Sequence, residues 1–382
     1  ISACLVGSEM CIRDRLCLAG SAGAIALGSG AWIWYKRRPQ LLSYTGHRGA
    51  SINALTWSPD GNSIASGDVN GTVHIWDTST GATLQTCRIT AANSVSSLSW
   101  SPDSTSILAG YTNMLVIWDA QSGKPTFTTT RLTGPAAYSP QGAYKPCYLL
   151  YSLLLAACQN QHSVLVFPSS SLKAPIASFD SGSISTLAFD PANESLSLAL
   201  VTAPPRRELA IYAANIPSTC AQNGPANAAL SYEKWNPPAL AAPDSSELSA
   251  PWGSGGSYLI GGSLRKKVTI QGTWGTYEMD HPAEVVAAAL CPGEQPLPAD
   301  AHPDGWYAVI GYIATVDSEG IVRVWGNDQK YIIAMQTRQP VLQLAWSPDG
   351  NFLAVVIADG TVQVWQANLS SLPALWRNTS FN

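Results

Sequence analysis

The sequence predicts an all-β protein of seven small, four-stranded antiparallel sheets leaning on one another in a circle, preceded by one transmembrane helix. Three observations lead there. The 382 residues hold 31 Gly and 26 Pro and are 46% hydrophobic but only 12% charged, which suits many short strands joined by tight turns around a sizeable core. A short phrase built on Trp-Ser-Pro-Asp recurs along the chain. One long uncharged run stands near the start. The formal net charge of −4 gives no electrostatic argument for nucleic acid, and the composition excludes a disordered chain.

In chain order, residues 1–15 are set aside. Leu5 to Arg15 reads as translated sequencing adaptor, so the native chain is expected to start near Leu16. Residues 16–35, LCLAGSAGAIALGSGAWIWY, carry no charge. As a helix they are long enough to cross the ~30 Å hydrocarbon layer of a bilayer. Trp32, Trp34 and Tyr35 sit where headgroups would lie, and Lys36 to Arg38 would stop the helix. A secretory signal peptide or a buried strand pair are the alternatives. Residues 36–40 form a basic juxtamembrane linker, and 41–382 hold the repeats. The expectation is a single-pass membrane protein. The basic flank argues for cytoplasm on the C-terminal side.

The clearest unit is Thr45 to Asp77. Trp57-Ser58-Pro59-Asp60-Gly61 ends one alternating run, Ser63 to Gly67 forms the next, and Asn70-Gly71 turns into Thr72 to Asp77. A fourth run, Ala82 to Ile89, leads onward. The phrase recurs at Trp100 and Trp346, with degenerate copies at Tyr138, Phe189, Trp235 and Leu290, at intervals of 43, 38, 51, 46, 55 and 56 residues. Third-strand endings keep step at Trp76, Trp118, Phe167, Tyr212, Ile270, Trp325 and Trp365. Two independent landmarks therefore give the same seven units. Pro282 to Leu290 reads as an inner strand by its place before Cys291-Pro292.

These motifs resemble the WD-repeat family. The resemblance implies a β-propeller of four-stranded blades, in which a strand from one terminus completes the blade formed by the other. Leu41 to Tyr44 is favoured to pair with Gln363 to Trp365, with Ser371 to Arg377 as its competitor. The family pattern of a Gly-His pair, a turn Asp six residues before the Trp, and Trp-Asp falls on Gly46, His47, Trp76, Asp77, Trp118, Asp119, Trp325, Asp359 and Trp365. No unit matches it throughout: Asn70 stands at the turn position of the first. The resemblance thus implies that the family's His–Ser–Asp–Trp hydrogen-bond network is incomplete in every unit. The layout of span, linker and repeats is similar to bacterial membrane-anchored serine/threonine kinases with a C-terminal WD-repeat propeller. That likeness implies a kinase upstream and a propeller outside the cytoplasm, opposite to the reading of the basic flank.

Chemistry-bearing motifs are sparse. The chain lacks a GxSxG elbow, a P-loop, HExxH and GxGxxG. Asp300-x-His302-x-Asp304 reads as a solvated turn, not a metal site, and no Cys/His cluster has zinc spacing. No cofactor is expected. Arg206, Arg207, Arg265, Lys266 and Lys267 fall in turns between second and third strands of adjacent units, at the same end as Arg48, Arg131 and Arg338. This set is the candidate patch for an acidic peptide or phosphate groups. Aromatic interleaving of the kind nucleic-acid binding needs is absent. The expected function is a non-catalytic protein-interaction or sensor platform, held at the membrane through 16–35. A propeller enzyme or small-ligand binder with a central-channel site is the alternative.

Overall fold

A computed structural model describes residues 40–139, 154–159, 162–168, 172–173, 175–181, 183–189, 198–202, 209–215, 231–235, 258–261, 266–272, 275–291, 312–325 and 331–367. The first strand among the described residues is β1 (Gln40–Tyr44). Sheet one is β2 (Ile52–Trp57), β3 (Ser63–Asp68), β4 (Thr72–Asp77) and β5 (Thr83–Arg88). Sheet two is β6 (Val95–Trp100), β7 (Ser106–Tyr111), β8 (Leu115–Asp119) and β9 (Pro125–Thr129). Sheet three is β10 (Ala136–Tyr138), β11 (Leu154–Gln159), β12 (Ser163–Pro168) and β13 (Ala177–Asp180). Sheet four is β14 (Ile184–Phe189), β15 (Leu198–Thr202), β16 (Leu209–Asn215) and β17 (Ser231–Trp235). Sheet five shows β18 (Tyr258–Gly261), β19 (Lys267–Gly272) and β20 (Gly275–Asp280) among the described residues. Sheet six is β21 (Val285–Leu290), β22 (Ile313–Asp317), β23 (Ile321–Trp325) and β24 (Tyr331–Gln336). Sheet seven is β25 (Val341–Trp346), β26 (Phe352–Ile357) and β27 (Val362–Gln366), with β1 as its fourth strand.

The recurring phrase makes a self-capped turn. Ser58 Oγ donates to Asp60 Oδ1 at 2.5 Å and accepts the Ser63 amide at 2.9 Å, while Asp60 takes the Asn62 amide at 3.0 Å. Ser101 with Asp103 and Ser347 with Asp349 repeat the pattern. These side chains supply the hydrogen bonds that the first-to-second-strand reversal leaves open. Proline sits between them, where no amide is needed.

Among the described residues, apolar side chains on the sheet faces pack neighbouring sheets together. Six apolar clusters join sheets seven and one, one and two, two and three, three and four, five and six, and six and seven. The landmark tryptophans add a directional tie. Trp346 Nε1 donates to the Ala289 carbonyl at 3.0 Å, Trp57 Nε1 to Ala345 at 3.1 Å and Trp100 Nε1 to Thr56 at 3.3 Å. Each indole thus reaches the residue just before the landmark of the preceding sheet. Where Tyr138 replaces Trp, Ser97 and Ser99 hydroxyls accept the Ala136 and Tyr138 amides instead, both at 3.0 Å.

The terminal strand docks as expected. Leu42 pairs with Val364, Ser43 with Gln363 and Tyr44 with Val362, covering the edge that β27 would otherwise leave open. Val285–Leu290 is an inner strand. Two expectations are corrected. Trp235 does not end the inner strand of a fifth unit: it lies on β17, the outer strand of sheet four, and pairs with Ile211 of β16. The single-pass membrane protein is also overturned, since no helix among the described residues is long and apolar enough to cross a membrane. Their apolar residues are instead distributed over strands of three to seven residues that cover one another. Residues 16–35, proposed from sequence as the span, lie outside the described residues, and with them the layout that carried the kinase likeness.

Sheets two and three approach so closely that a Cβ on Gly110 would sit 1.9 Å from the Gly134 carbonyl oxygen. Gly134 cannot retreat freely, because its amide donates to Tyr111 O at 2.7 Å. Gly110→Ala is expected to lower stability by about 2 kcal/mol or more through overpacking. Gly61→Ala, at a φ of +74° but with open space around it, should cost only about 1 kcal/mol. Urea unfolding midpoints of the two variants check this, and equal losses would count against the close approach.

Candidate functional site

The densest polar cluster lies where β1, its connector to β2, and sheet one meet. Trp76 at the end of β4 is fully buried, and its indole N–H donates to Ser66 Oγ at 3.2 Å. Ser66 in turn lies 2.7 Å from His47 Nε2. An indole only donates, so the Ser66 proton goes to Nε2 and the His47 Nδ1–H faces Asp68 Oδ2 at 3.0 Å. Asp68 Oδ1 accepts the Asn70 and Thr72 amides, both at 2.9 Å, and so shapes the turn that Gly71 completes at a φ of +77°. The network is therefore complete in sheet one. The carboxylate comes from Asp68, eight residues before the Trp, and not from the turn position six before it.

His74, two residues before Trp76, stacks on His47 with centroids 4.3 Å apart and planes 13° from parallel. Its Nδ1 lies 2.7 Å from Tyr44 Oη, which is also 2.9 Å from Thr83 Oγ1. The Tyr44 ring stacks on Trp76 at 4.5 Å. Burial, helped by the neighbouring His47, pushes His74 down to about 4. Burial also raises the Tyr44 hydroxyl.

Sheet six holds a second version. Trp325 Nε1 donates to Thr315 Oγ1 at 2.7 Å, Thr315 faces His281 Nε2 at 3.0 Å, and Asp317 Oδ1 accepts the Glu319 and Ile321 amides. The position of His74 is taken by Arg323, whose guanidinium pairs with Asp317 Oδ2. Having lost the carboxylate, His281 turns Nδ1 to the Ala283 carbonyl at 3.2 Å. Burial and the Arg323 charge push His281 down to about 4. Sequence reasoning overlooked His281 and this network. The signal was a Ser/Thr-x-Asp triplet ending the second strand, Ser66-x-Asp68 and Thr315-x-Asp317, each starting ten residues before the Trp.

Elsewhere the motif positions do other work. Trp365 Nε1 donates to Gln363 Oε1 at 3.0 Å, and Asp359 Oδ1 caps Thr361. Trp118 is buried with its indole nitrogen unpartnered. Asp77 Oδ1 gathers the amides and hydroxyls of Ser79 and Thr80, which hold its carboxyl at about 2. Asp119 Oδ1 likewise takes the Ser122 amide and hydroxyl at 2.7 and 2.6 Å. Gly46 lies against the Tyr44 ring. Both Trp-Asp aspartates are turn caps on the surface.

Of the sequence-predicted patch, Arg206, Arg207 and Arg265 lie outside the described residues, as does the side chain of Lys267 on β19. Lys266 is exposed, and its carbonyl accepts the His281 amide at 2.7 Å. Arg48, Arg131 and Arg338 are exposed on the connectors that lead into β2, β10 and β25. Arg48 adopts a φ of +52°, uncommon for a residue with a side chain. Asp300, His302 and Asp304 lie outside the described residues. Among those described, no group of three or more His, Cys, Asp or Glu could hold a metal ion. Burial pushes the Cys87 and Cys158 thiols up to about 12, well away from nucleophilic use.

Comparison with known proteins agrees with this architecture. Residues 38–77 and 82–119 match the WD domain, G-beta repeat, and residues 312–375 match the Anaphase-promoting complex subunit 4 WD40 domain. The crystal structure of the C-terminal WD40 domain of Sif2 superposes with a TM-score of 0.53 at 18% identity, covering 83% of this chain and 81% of that one. No curated protein matches the chain.

Folding holds His74 and His281 below the ordinary histidine value of 6.5, so the unfolded chain takes up protons first as pH falls. Their contribution is whole above pH 6.5 and is lost progressively toward pH 4. The melting temperature should therefore begin to drop between pH 6.5 and 5, before carboxylates titrate. Replacing both (His74→Gln, His281→Gln) should flatten that limb in a calorimetric pH series. An unaltered slope would show that neither imidazole is held neutral.

Proposed function

We propose that this chain, a WD-repeat β-propeller, is a seven-bladed, non-catalytic platform that binds an acidic protein segment at the end where connectors enter the inner strands. WD-repeat propellers commonly bind protein partners. The reading of seven blades is supported by the seven sheets among the described residues and by β1 completing the last of them. The partly exposed side chains of inner strands β2, β6 and β25 (Asn53 and Thr56, Ser96 to Ser99, Leu342, Gln343, Ala345) are all neutral. On these three strands no acid or base stands beside the serine hydroxyls to activate them.

The observation that carries the partner class is the placing of three exposed guanidinium groups on equivalent connectors. Arg48, Arg131 and Arg338 are exposed and form no ion pair with a described residue. The acids at that end are partly spent on the fold: Asp68 is tied to His47, Asp317 to Arg323, and Asp359 caps Thr361. Lys266 extends the exposed basic set toward sheet five, and Arg206, Arg207, Arg265 and Lys267 belong with it by sequence. Guanidinium groups suit carboxylates because they donate in a fixed fork.

Fluorescence anisotropy with glutamate-rich peptides of varied sequence tests this. Binding should weaken with added salt and fall at least tenfold in the triple variant Arg48→Glu, Arg131→Glu, Arg338→Glu. These positions are exposed, so the melting temperature should stay near that of the parent. Peptide capture unchanged by the reversal, or no capture of any acidic peptide, would sink the proposal.

A further inference from the structure

We infer that the stacked His47–His74 pair is an acid-sensitive latch on ring closure, holding β1 against sheet one while His74 is neutral and releasing it when His74 takes up a proton. The inference concerns regulation of the fold and stands apart from the partner-binding reading. Tyr44 is the last residue of β1, the strand that covers the edge of sheet seven. Its hydroxyl, however, reaches His74 and Thr83 of sheet one, and its ring lies on Trp76. The connector after it is fastened to the same sheet by His47, through Ser66 and Asp68. The polar ties of β1 and its connector to sheet one thus run through two imidazoles in face-to-face contact.

The groups that face His74 are known from each side. Tyr44 approaches from β1, His47 and Arg48 from the connector, Asp68 from β3 and the neutral Thr83 from β5. With Tyr44 donating to His74 Nδ1 and accepting from Thr83, the Tyr44 hydroxyl has both its partners while His74 is neutral. A proton on Nδ1 makes His74 the donor, so Tyr44 gives up donating to it and turns its own hydrogen to Thr83 Oγ1. It also places a positive charge 4.3 Å from the His47 ring and close to Arg48, with Asp68 the sole carboxylate among the groups named.

Sheet six displays the outcome of putting a cation in this place. There Arg323 occupies the position of His74, takes the carboxylate of Asp317, and leaves His281 to a backbone carbonyl. No tyrosine hydroxyl of a closing strand is among the partners of that site in the hydrogen bonds described. Protonated His74 would compete for Asp68 in the same way. His47 would then lose its carboxylate, and the connector after β1 its tie to sheet one. The depressed value of His74 sets the range over which this happens.

Hydrogen exchange of the full chain at pH 7 and pH 5, corrected for intrinsic rates, reads the latch directly. Amides of β1 and β27 should lose protection on the order of tenfold more than those of β11 and β12, in line with proton linkage at one site. His74→Gln keeps a hydrogen-bonding side chain without the titration and should remove the difference between the two pH values. Tyr44→Phe supplies a second reading: low protection already at pH 7, with no further selective loss at pH 5. Equal protection at both pH values in the parent chain, or the same selective loss in His74→Gln, would overturn the inference.

Discussion

A sheet of four short strands has two faces, and here both are apolar, so each can be hidden only by another sheet. Everything else in the molecule answers to that constraint. Clusters such as Trp57, Trp76, Val356 and Val364 belong to no single sheet, since each is formed between neighbours. Stability on these terms is a sum of interfaces along a row. A row has two open ends, which is why five residues at its start matter out of proportion to their number.

Polar groups act within this frame mainly to fix angle and distance. The landmark indoles each spend their one donor on the carbonyl of the sheet before, which sets the spacing that side-chain packing alone would leave soft. The Ser66–His47–Asp68 and Thr315–His281 networks pin the connectors at the opposite end. A buried network of this type is costly if half satisfied, and sheet six illustrates the remedy: with Arg323 claiming Asp317, His281 finds a carbonyl. Sheet two shows the other course, in which Leu108 and Val116 replace the polar partners and Trp118 is buried in an apolar cluster beside Tyr111.

Much of the architecture could be read from spacing, because a turn that must reverse a strand in four residues leaves few choices. The Ser-Pro-Asp turns, the aromatic ends of the third strands and the docking of Leu41 to Tyr44 on β27 all follow from local chemistry. Trp235 misled for the same reason. Trp-Asn-Pro resembles the inner-strand landmark in residue types, but only pairing with β16 reveals an outer strand. The buried networks were half legible. His47 stood out beside Gly46, whereas Asp68 and His281 were hidden because the partner of each is distant in sequence and its offset departs from the expected one. The long apolar run at 16–35 lies outside the described residues, among which no helix is long and apolar enough to cross a membrane.

The closing contact offers the most direct test. Ser43 and Gln363 face one another across β1 and β27. Cysteines placed at both positions (Ser43→Cys, Gln363→Cys) should form an intramolecular disulfide under mild oxidation of the native protein, identified by peptide mapping. The bond should raise the melting temperature, because it ties the first sheet-forming residues to the last. Failure of the pair to form within one chain while the protein remains folded would contradict closure of the ring by its opening strand.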